Sequence, residues 1–379
     1  MPVRARRAAR GPVGNATVAG TGTYPRDDSR PAHGARDTAT GRWLVLGKDG
    51  RLTAYALGDE GVLRWTEERP GGPGWTGPEL LPVPGLTDLT IAQSATGFVH
   101  LAGRRVRPGD GSGPTVDIVY ATQFQTGRPL TAWRSLGNPD KDPAKGAGLG
   151  APALVLTGAG LVHVLARTGN GTLFLRAEAK NGKWEGWQEL LRGAEAGTAA
   201  VTCASGRTEL LVPGRGVTHR LLRSPSDAAY QHDYDIPFTL VPGTAAVLET
   251  LQDRVTYYWT DASMGGLVAY RPGMWSIPLG GVAPTGPVAV LRTLLDGYDC
   301  TVLVHRAPDG EILLTACATE NEAGGVWWSP TGDHCEGVPA LAHDAHGRVV
   351  LALIGDDGAL RVSRQAGGPS LGMSPSVRV

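Results

Sequence analysis

The sequence is short of most features that mark a membrane, nucleic-acid or metal protein. Its apolar residues come in brief runs that never reach the roughly 18 needed to cross a bilayer as a helix, so no membrane partner is expected. Lys plus Arg number 36, as do Asp plus Glu. That balance leaves no basic surplus for a phosphate backbone and argues against nucleic acid as a partner. Cysteine occurs four times, at 203, 300, 317 and 335, too sparsely for a disulfide scaffold. No CxxC or Cys/His spacing suits zinc, and the Asp-rich turn GDDG at 355–358 lacks the further carboxylates of a calcium site. A GK[ST] phosphate loop, a GxSxG elbow and an HExxH motif are also missing. No metal and no cofactor is expected.

The first twenty residues carry four Arg with no apolar stretch behind them, so no export signal is read there. Residues 1–14 are expected to be a disordered basic tail on a single domain spanning 15–379, with reduced thiols in the cytoplasm. Cys300 and Cys317 flank a turn at Pro308-Asp309-Gly310. A four-residue loop would set the two thiols opposite each other, and a two-residue Asp-Gly loop would set Cys300 against Thr319.

What the sequence does have is glycine and repetition. Its 379 residues include 55 Gly and 28 Pro, which disfavours long helices. Seven Gly-led or Asp-led segments recur: GRLTAYAL at 50–57, GFVHLAG at 97–103, GLVHVLA at 160–166, GRTELLV at 206–212, DRVTYYW at 253–259, DCTVLVH at 299–305 and GRVVLAL at 347–353. In six of them the residue two after the lead is Val99, Val162, Thr208, Val255, Thr301 or Val349, β-branched each time, as strands prefer. A strand rich in small residues precedes each segment, from WLVLG at 43–47 to ALAHD at 340–344. A tight turn and a third strand follow it. A fourth strand with an aromatic closes six units, at Trp75, Trp133, Trp187, Phe238, Trp275 and Trp328. Four antiparallel strands repeated seven times, with a period of about 47 residues, predict an all-β seven-bladed β-propeller. The seventh unit lacks its fourth strand, which either NATVAGTGTY at 15–24 or MSPSVRV at 373–379 must supply.

The blade endings GWTGPELL at 74–81, TAWRSLG at 131–137 and WEGWQELL at 184–191 resemble those of the bacterial seven-bladed propeller lectins. The resemblance extends over roughly residues 42 to 367 at the level of blade pattern. It implies the same fold and binding of fucose or O-methylated sugars in pockets between neighbouring blades. Blades 4 to 6 end instead in DIPFTLVPG, MWSIPLGG and VWWSPTGD, so no sugar-binding residue transfers position by position.

Sugar recognition needs an aromatic platform beside carboxylate, amide or guanidinium groups. Trp184 and Trp187 with Glu185 and Gln188 offer one such set, and Trp327 and Trp328 with Asp333 another; each Trp pair is equally suited to filling a seam between blades. Aligning the ends of the first strands puts Gln93, Leu156, Cys203, Glu249, Arg292 and His343 in one column, at one mouth of the central channel. Glu249, Arg292 and His343, from blades 5, 6 and 7, are the parts of a catalytic acid/base site, or a Glu–Arg salt bridge beside a channel-lining His. The connection SPSDAAYQHDYD at 224–235 gathers Tyr230, His232, Asp233, Tyr234 and Asp235 on that same face, with Tyr230, His232 and Tyr234 the ligand-binding candidates and Gln93 of the column another. Segments 26–41, 104–114 and 138–150, with Arg30, His33, Arg104, Arg105, Arg107 and Lys141, are expected on the opposite face as a lid or ordinary loops. The functional expectation is a lectin-like module for a glycan or glycosylated small molecule. The alternative is a propeller enzyme of secondary metabolism that performs acid/base-assisted cyclisation or rearrangement of a small organic substrate.

Overall fold

The computed structural model describes residues 34–109, 113–227, 229–368 and 370–379; the expected tail at 1–14 and the segment 15–24 lie outside the described residues. Seven antiparallel sheets follow one another along the chain, each built on four strands in sequence order. The first strands are Leu44–Leu46, Leu86–Gln93, Ala153–Leu156, Ala199–Thr202, Ala246–Leu251, Ala289–Leu295 and Ala340–His343. Each touches the next around a ring, and together they line the central channel of a seven-bladed β-propeller. Among the described residues no helix is long and apolar enough to cross a membrane.

The second strands read as unbroken apolar runs because neighbouring blades cover both of their faces. Leu52–Gly58 and Val349–Ile354 are buried at every position. The core is therefore a set of seams between blades. The seam between blades 4 and 5 holds Leu211, Ile236, Tyr257, Trp259 and Tyr270.

The C-terminal segment closes blade 7, where Val377–Arg378 pairs with Arg361 and Val362. The seam between the last and first blades is then sewn from the other end of the described chain. Ala35 N–H donates to Gly358 O at 2.9 Å, Thr38 Oγ1 accepts from Val338 N–H at 2.8 Å, and Trp43 Nε1 donates to Val338 O at 3.1 Å. Asp37–Thr38 pairs with blade 1, whereas Thr40–Gly41 crosses over to run parallel to Thr90 and Ile91 of blade 2. Gly41 is required there: its φ is 74°, and a Cβ would sit 2.4 Å from Ile91 O.

This corrects the reading of 26–41 as a surface lid, since its described part is woven into the channel wall; Arg30 and His33 lie outside the described residues. Arg104, Arg105 and Arg107 also belong to a strand, Val99–Arg107. Arg105 pairs with the buried Asp117 at 2.7 Å, and Arg104 Nε donates to Leu149 O at 2.6 Å, tying the 138–150 connection down. Lys141 is exposed.

Two further expectations need correction. Cys300 pairs with Ala318, and Cys317 with Thr301, so the two thiols point to opposite faces of the sheet and all four cysteines are free. The reason is a three-residue loop at 308–310, closed by Ala307 N–H to Glu311 O at 2.8 Å. Its last residue, Gly310, has φ 90°, as such loops require. In blade 4 the segment taken for a loop contains the fourth strand, Gln231–Ile236. Phe238 follows that strand, and the residue placed like Trp133, Trp187 and Trp328, immediately before it, is Tyr230. In blade 5 the fourth strand shrinks to Ile277–Pro278, and Trp275 is left 87% exposed in the preceding turn instead of closing the blade.

Candidate functional site

Where does each predicted site residue go? Trp187 Nε1 donates to Leu136 O of blade 2 at 3.0 Å, under the Arg176 guanidinium. Trp184 packs edge-on against Tyr120 in the same seam. Trp328 repeats the first contact one half-ring away, donating to Leu279 O at 3.0 Å and lying against His305. The tryptophans before the fourth strands of blades 3 and 6 are thus blade-to-blade pegs. Replacing Trp328 with phenylalanine leaves the Leu279 carbonyl without its donor and should lower stability by about 1 kcal/mol in urea unfolding, whereas Trp187→Phe should cost less through this bond, because Arg176 also donates to Leu136 O. Trp327 stays 76% exposed. Asp333 accepts from Ser376 of the closing C-terminal segment instead of joining the Trp pair.

The three aromatic and imidazole candidates of blade 4 do not form one site. Tyr230 turns toward blade 3, with its hydroxyl 3.0 Å from His163 Nδ1. Tyr234 turns toward blade 5, its hydroxyl 3.2 Å from that of Tyr270, and burial together with that contact pushes its phenol well up. His232 stays on the outer edge, with Nε2 2.8 Å from Asp235 Oδ1.

The predicted column at the channel mouth exists, with one substitution. Gln93, Leu156, Thr202, Glu249, Arg292 and His343 pair with Val99, Val162, Thr208, Val255, Thr301 and Val349, the β-branched residues that recur in the second strands. Thr202 occupies the place given to Cys203. Gln93 Nε2 donates to Leu46 O at 2.7 Å, and Thr202 donates to Leu156 O, so this side of the ring is stitched blade to blade.

The other side is built differently. Glu249 accepts from Ala204 N–H and Asp253 N–H, each at 2.8 Å, which occupies both carboxylate oxygens. Arg292 turns away from Glu249 and grips Asp299 on the next strand with three contacts of 2.6 to 2.9 Å. That bond holds the Asp299 carboxyl below its usual range. His343 is half-buried, and burial lowers its pKa. Glu249, Arg292 and His343 share the ring, and the expected Glu249–Arg292 pair is replaced by Arg292–Asp299.

Asp299 is reachable because the first hairpin of blade 6 runs on beyond the column. Three more pairs, Thr293 with Cys300, Leu294 with Asp299 and Leu295 with Tyr298, lead to the turn Asp296-Gly297. Their φ values of 51° and 81° are those of a two-residue turn matched to strand twist. Blade 5 also overshoots, pairing Leu251 with Arg254. In blades 1, 2, 3, 4 and 7 the pairing stops at the column. The sequence signal for the longer hairpin is LLDGYD at 294–299, an Asp-Gly between apolar residues.

The raised hairpin of blade 6 walls a cleft of about 260 Å³ against blade 7, lined by Leu294, Asp296, His346, Arg348 and Gln365 with glycine backbone. Its polar groups are fixed in place. Arg348 Nε donates to Asp344 Oδ2 at 2.9 Å, and Arg348 Nη2 to Gly71 O at 2.8 Å. Gln365 accepts from Val349 N–H at 3.1 Å and donates to Ser370 O at 2.8 Å. Burial pushes the Asp344 carboxyl up, but Arg348 and the backbone N–H groups of His346 and Arg348 outweigh it and leave the group below its ordinary value.

Turns joining first to second and third to fourth strands all end on this face. It carries Leu251, Leu294 and Tyr298 on the raised hairpins and Met274, Trp275 and Trp327 on the outer turns of blades 5 and 6, all exposed, with Phe124 on blade 2. On the opposite face the exposed large apolar side chains among the described residues are Met264 and Val282.

No family model matches the chain, and no curated protein matches it by sequence. Solved structures match by shape. A 6-phosphogluconolactonase-like protein from Bacteroides fragilis NCTC 9343 is 13% identical over 87% of this chain and 96% of its own, with a TM-score of 0.59. An ulvan lyase representing a new family of polysaccharide lyase is 9% identical over 88% and 94%, with a TM-score of 0.50. The SapL1 lectin, solved with alpha methyl fucoside, is 11% identical over 78% and 96%, with a TM-score of 0.47. At these identities the likeness shows the propeller fold.

Proposed function

We propose that the protein is a ligand-binding propeller whose site lies on the raised face of blades 5 to 7 and takes a saccharide or a glycosylated small molecule. The carrying observation is the asymmetry of that face, where exposed apolar groups gather around a cleft with anchored hydrogen-bonding groups. A sugar presents C–H faces to aromatic or apolar walls and hydroxyls to charged and amide groups. Tyr298, 71% exposed, and Leu294 supply the first, and Asp296, Arg348 and the Arg292–Asp299 pair the second. Binding is preferred to acid/base turnover because both oxygens of Glu249 and the guanidinium of Arg292 already have partners.

A glycan array followed by calorimetry on the folded protein tests this reading. Saturable binding of at least one saccharide is expected, weakened at least tenfold by Tyr298→Ala or Arg292→Ala. The Arg292–Asp299 side chains are 40% and 35% exposed, so the screened pair contributes about 0 to 1 kcal/mol. Arg292→Ala should therefore leave the unfolding free energy nearly unchanged while affinity falls. No heat from any saccharide at millimolar concentration would remove the proposal.

A further inference from the structure

The outer edge of blade 4, outside the proposed binding face, carries a second constellation. The third strand, Val217–Arg223, pairs with Gln231–Ile236 so that His219 faces Asp235 and Leu221 faces His232, with a shift of register between Arg220 and Leu221. In an unbroken strand, residues three apart point to opposite faces. The bulge at Asp233 absorbs one residue and swings His232 onto the face that carries His219 and Asp235. No spacing rule for ligands in sequence would find this trio, since two of its members come together only through the bulge and the third lies on another strand.

His219 Nδ1 and His232 Nε2 approach the same oxygen, Asp235 Oδ1, at 2.7 and 2.8 Å. The three ligand atoms all lie within 4.8 Å of one another. The bulged Asp233 is engaged by Arg220, which draws that guanidinium away from Asp235. The His219 ring is seated by the missing side chain of Gly214, where a Cβ would stand 2.5 Å from Nε2.

We propose that His219, His232 and Asp235 bind a borderline divalent cation of the zinc type. Two imidazoles and one carboxylate are a donor set for such ions, and bonds of about 2.0 to 2.1 Å in a tetrahedron place ligand atoms about 3.4 Å apart. The two His–Asp235 pairs need to open by about 0.6 Å on that geometry, and the half-exposed rotamers of His232 and Asp235, with 50% and 46% of their side-chain surface accessible, allow them and the two imidazoles to adjust. The same exposure leaves the fourth position to water or to an incoming donor. Each imidazole then carries its proton on the nitrogen that faces away from the metal. A rival group, Cys203 with Glu249 and Asp253, is equally compact. It is a poorer cation site because each Glu249 oxygen already accepts a backbone N–H and the Arg207 guanidinium lies 4.0 Å from Asp253, where it opposes a second cation.

The test is calorimetric titration of the full chain with zinc chloride, paired with cobalt(II) absorption spectra and melting curves with and without zinc. The expected result is one zinc per chain, tetrahedral cobalt bands and a higher melting temperature on zinc addition. His232→Ala and Asp235→Asn should each weaken binding by more than the roughly 10- to 100-fold that changes beyond the ligand shell produce, and should abolish the melting shift. Both residues are surface-exposed, and a far-UV spectrum like the parent's will show that the variants fold. Absence of zinc binding to the parent, or undiminished binding by His232→Ala, would overturn the assignment.

Discussion

Replacing Arg220 with alanine should lower the unfolding free energy by about 3 to 5 kcal/mol, the range for stripping one partner from a buried charge. Glu209, on the second strand of blade 4, is 1% exposed. Its carboxylate accepts from Arg220 Nε at 3.1 Å and Nη2 at 2.8 Å, from Arg207 Nη2 at 2.6 Å, and from the Tyr257 hydroxyl of blade 5. Burial works against the Arg220 charge, but Tyr257 and Glu209 more than offset it and hold the guanidinium above its ordinary pKa. Arg220 further engages Asp233 and sits over the Tyr234 ring, so its removal opens a seam between two blades as well as leaving a carboxylate underpaired. Urea unfolding at neutral pH measures the loss. Arg220→Lys should recover only part of it, because an ammonium cannot make the forked contact. A loss below about 1 kcal/mol, the value of an exposed pair, would mean that Arg207 and Tyr257 satisfy Glu209 without Arg220.

The contrast with Arg292 shows which parts of this protein were legible in its sequence. Blade number and the order of strands could be read because the second strands are buried on both faces and so leave apolar runs at a regular period. The outer strands were legible where a tryptophan marked them, at Trp75, Trp133, Trp187 and Trp328, and were lost in blades 4 and 5, because half-exposed positions carry no such constraint. Gln231–Ile236 is polar at four of its first five positions and contains a bulge, so it read as a loop, and the aromatic peg of that blade was sought at Phe238 instead of Tyr230. The column at the channel mouth was found to within one residue, with Thr202 in place of Cys203, yet the partner of its cationic member, Arg292, was missed. Pairing Arg292 with Asp299 depends on how far one hairpin extends, which an alignment of equal-length strands cannot represent. The free thiols turned on a similar detail, since a single residue in the Pro308-Asp309-Gly310 loop moves Cys317 to the other face of its sheet.

Stability should also fall by several kcal/mol between about pH 6.5 and pH 4, through histidines that the fold keeps neutral. His100 and His163 occupy the same position in the second strands of blades 2 and 3, and are 6% and 4% exposed. Their Nδ1 atoms lie 2.7 and 3.0 Å from the hydroxyls of Tyr120 and Tyr230. Burial pulls both pKa values down to about 4, with Arg223 adding to the effect at His163. Unfolded histidine titrates near 6.5, so as pH falls through this window the unfolded chain takes up protons that the folded chain refuses, and the native state loses ground. A shift of that size corresponds to roughly 3 kcal/mol per residue when fully expressed. Two such residues therefore represent a large part of the roughly 5 to 15 kcal/mol that holds a domain together. His305, buried against Trp328 and also lowered by burial, acts in the same direction. The carboxylates held below their ordinary range, Asp117, Asp299 and Asp344, lose their contribution over a lower window that opens at about pH 5 and continues below pH 4. Glu67, which burial raises in spite of Arg364 and two backbone donors, works in the opposite sense, since its protonated form is the one the fold tolerates. The histidine window is therefore separable from the acid limb by urea unfolding at closely spaced pH values. His163→Asn should make the curve between pH 6.5 and 4 shallower, with His100 and His305 keeping the rest of the slope, and leave the slope below it unchanged; a parent curve already flat across that interval would show that these imidazoles ionise in place, and that water reaches the seams between blades 2, 3 and 4.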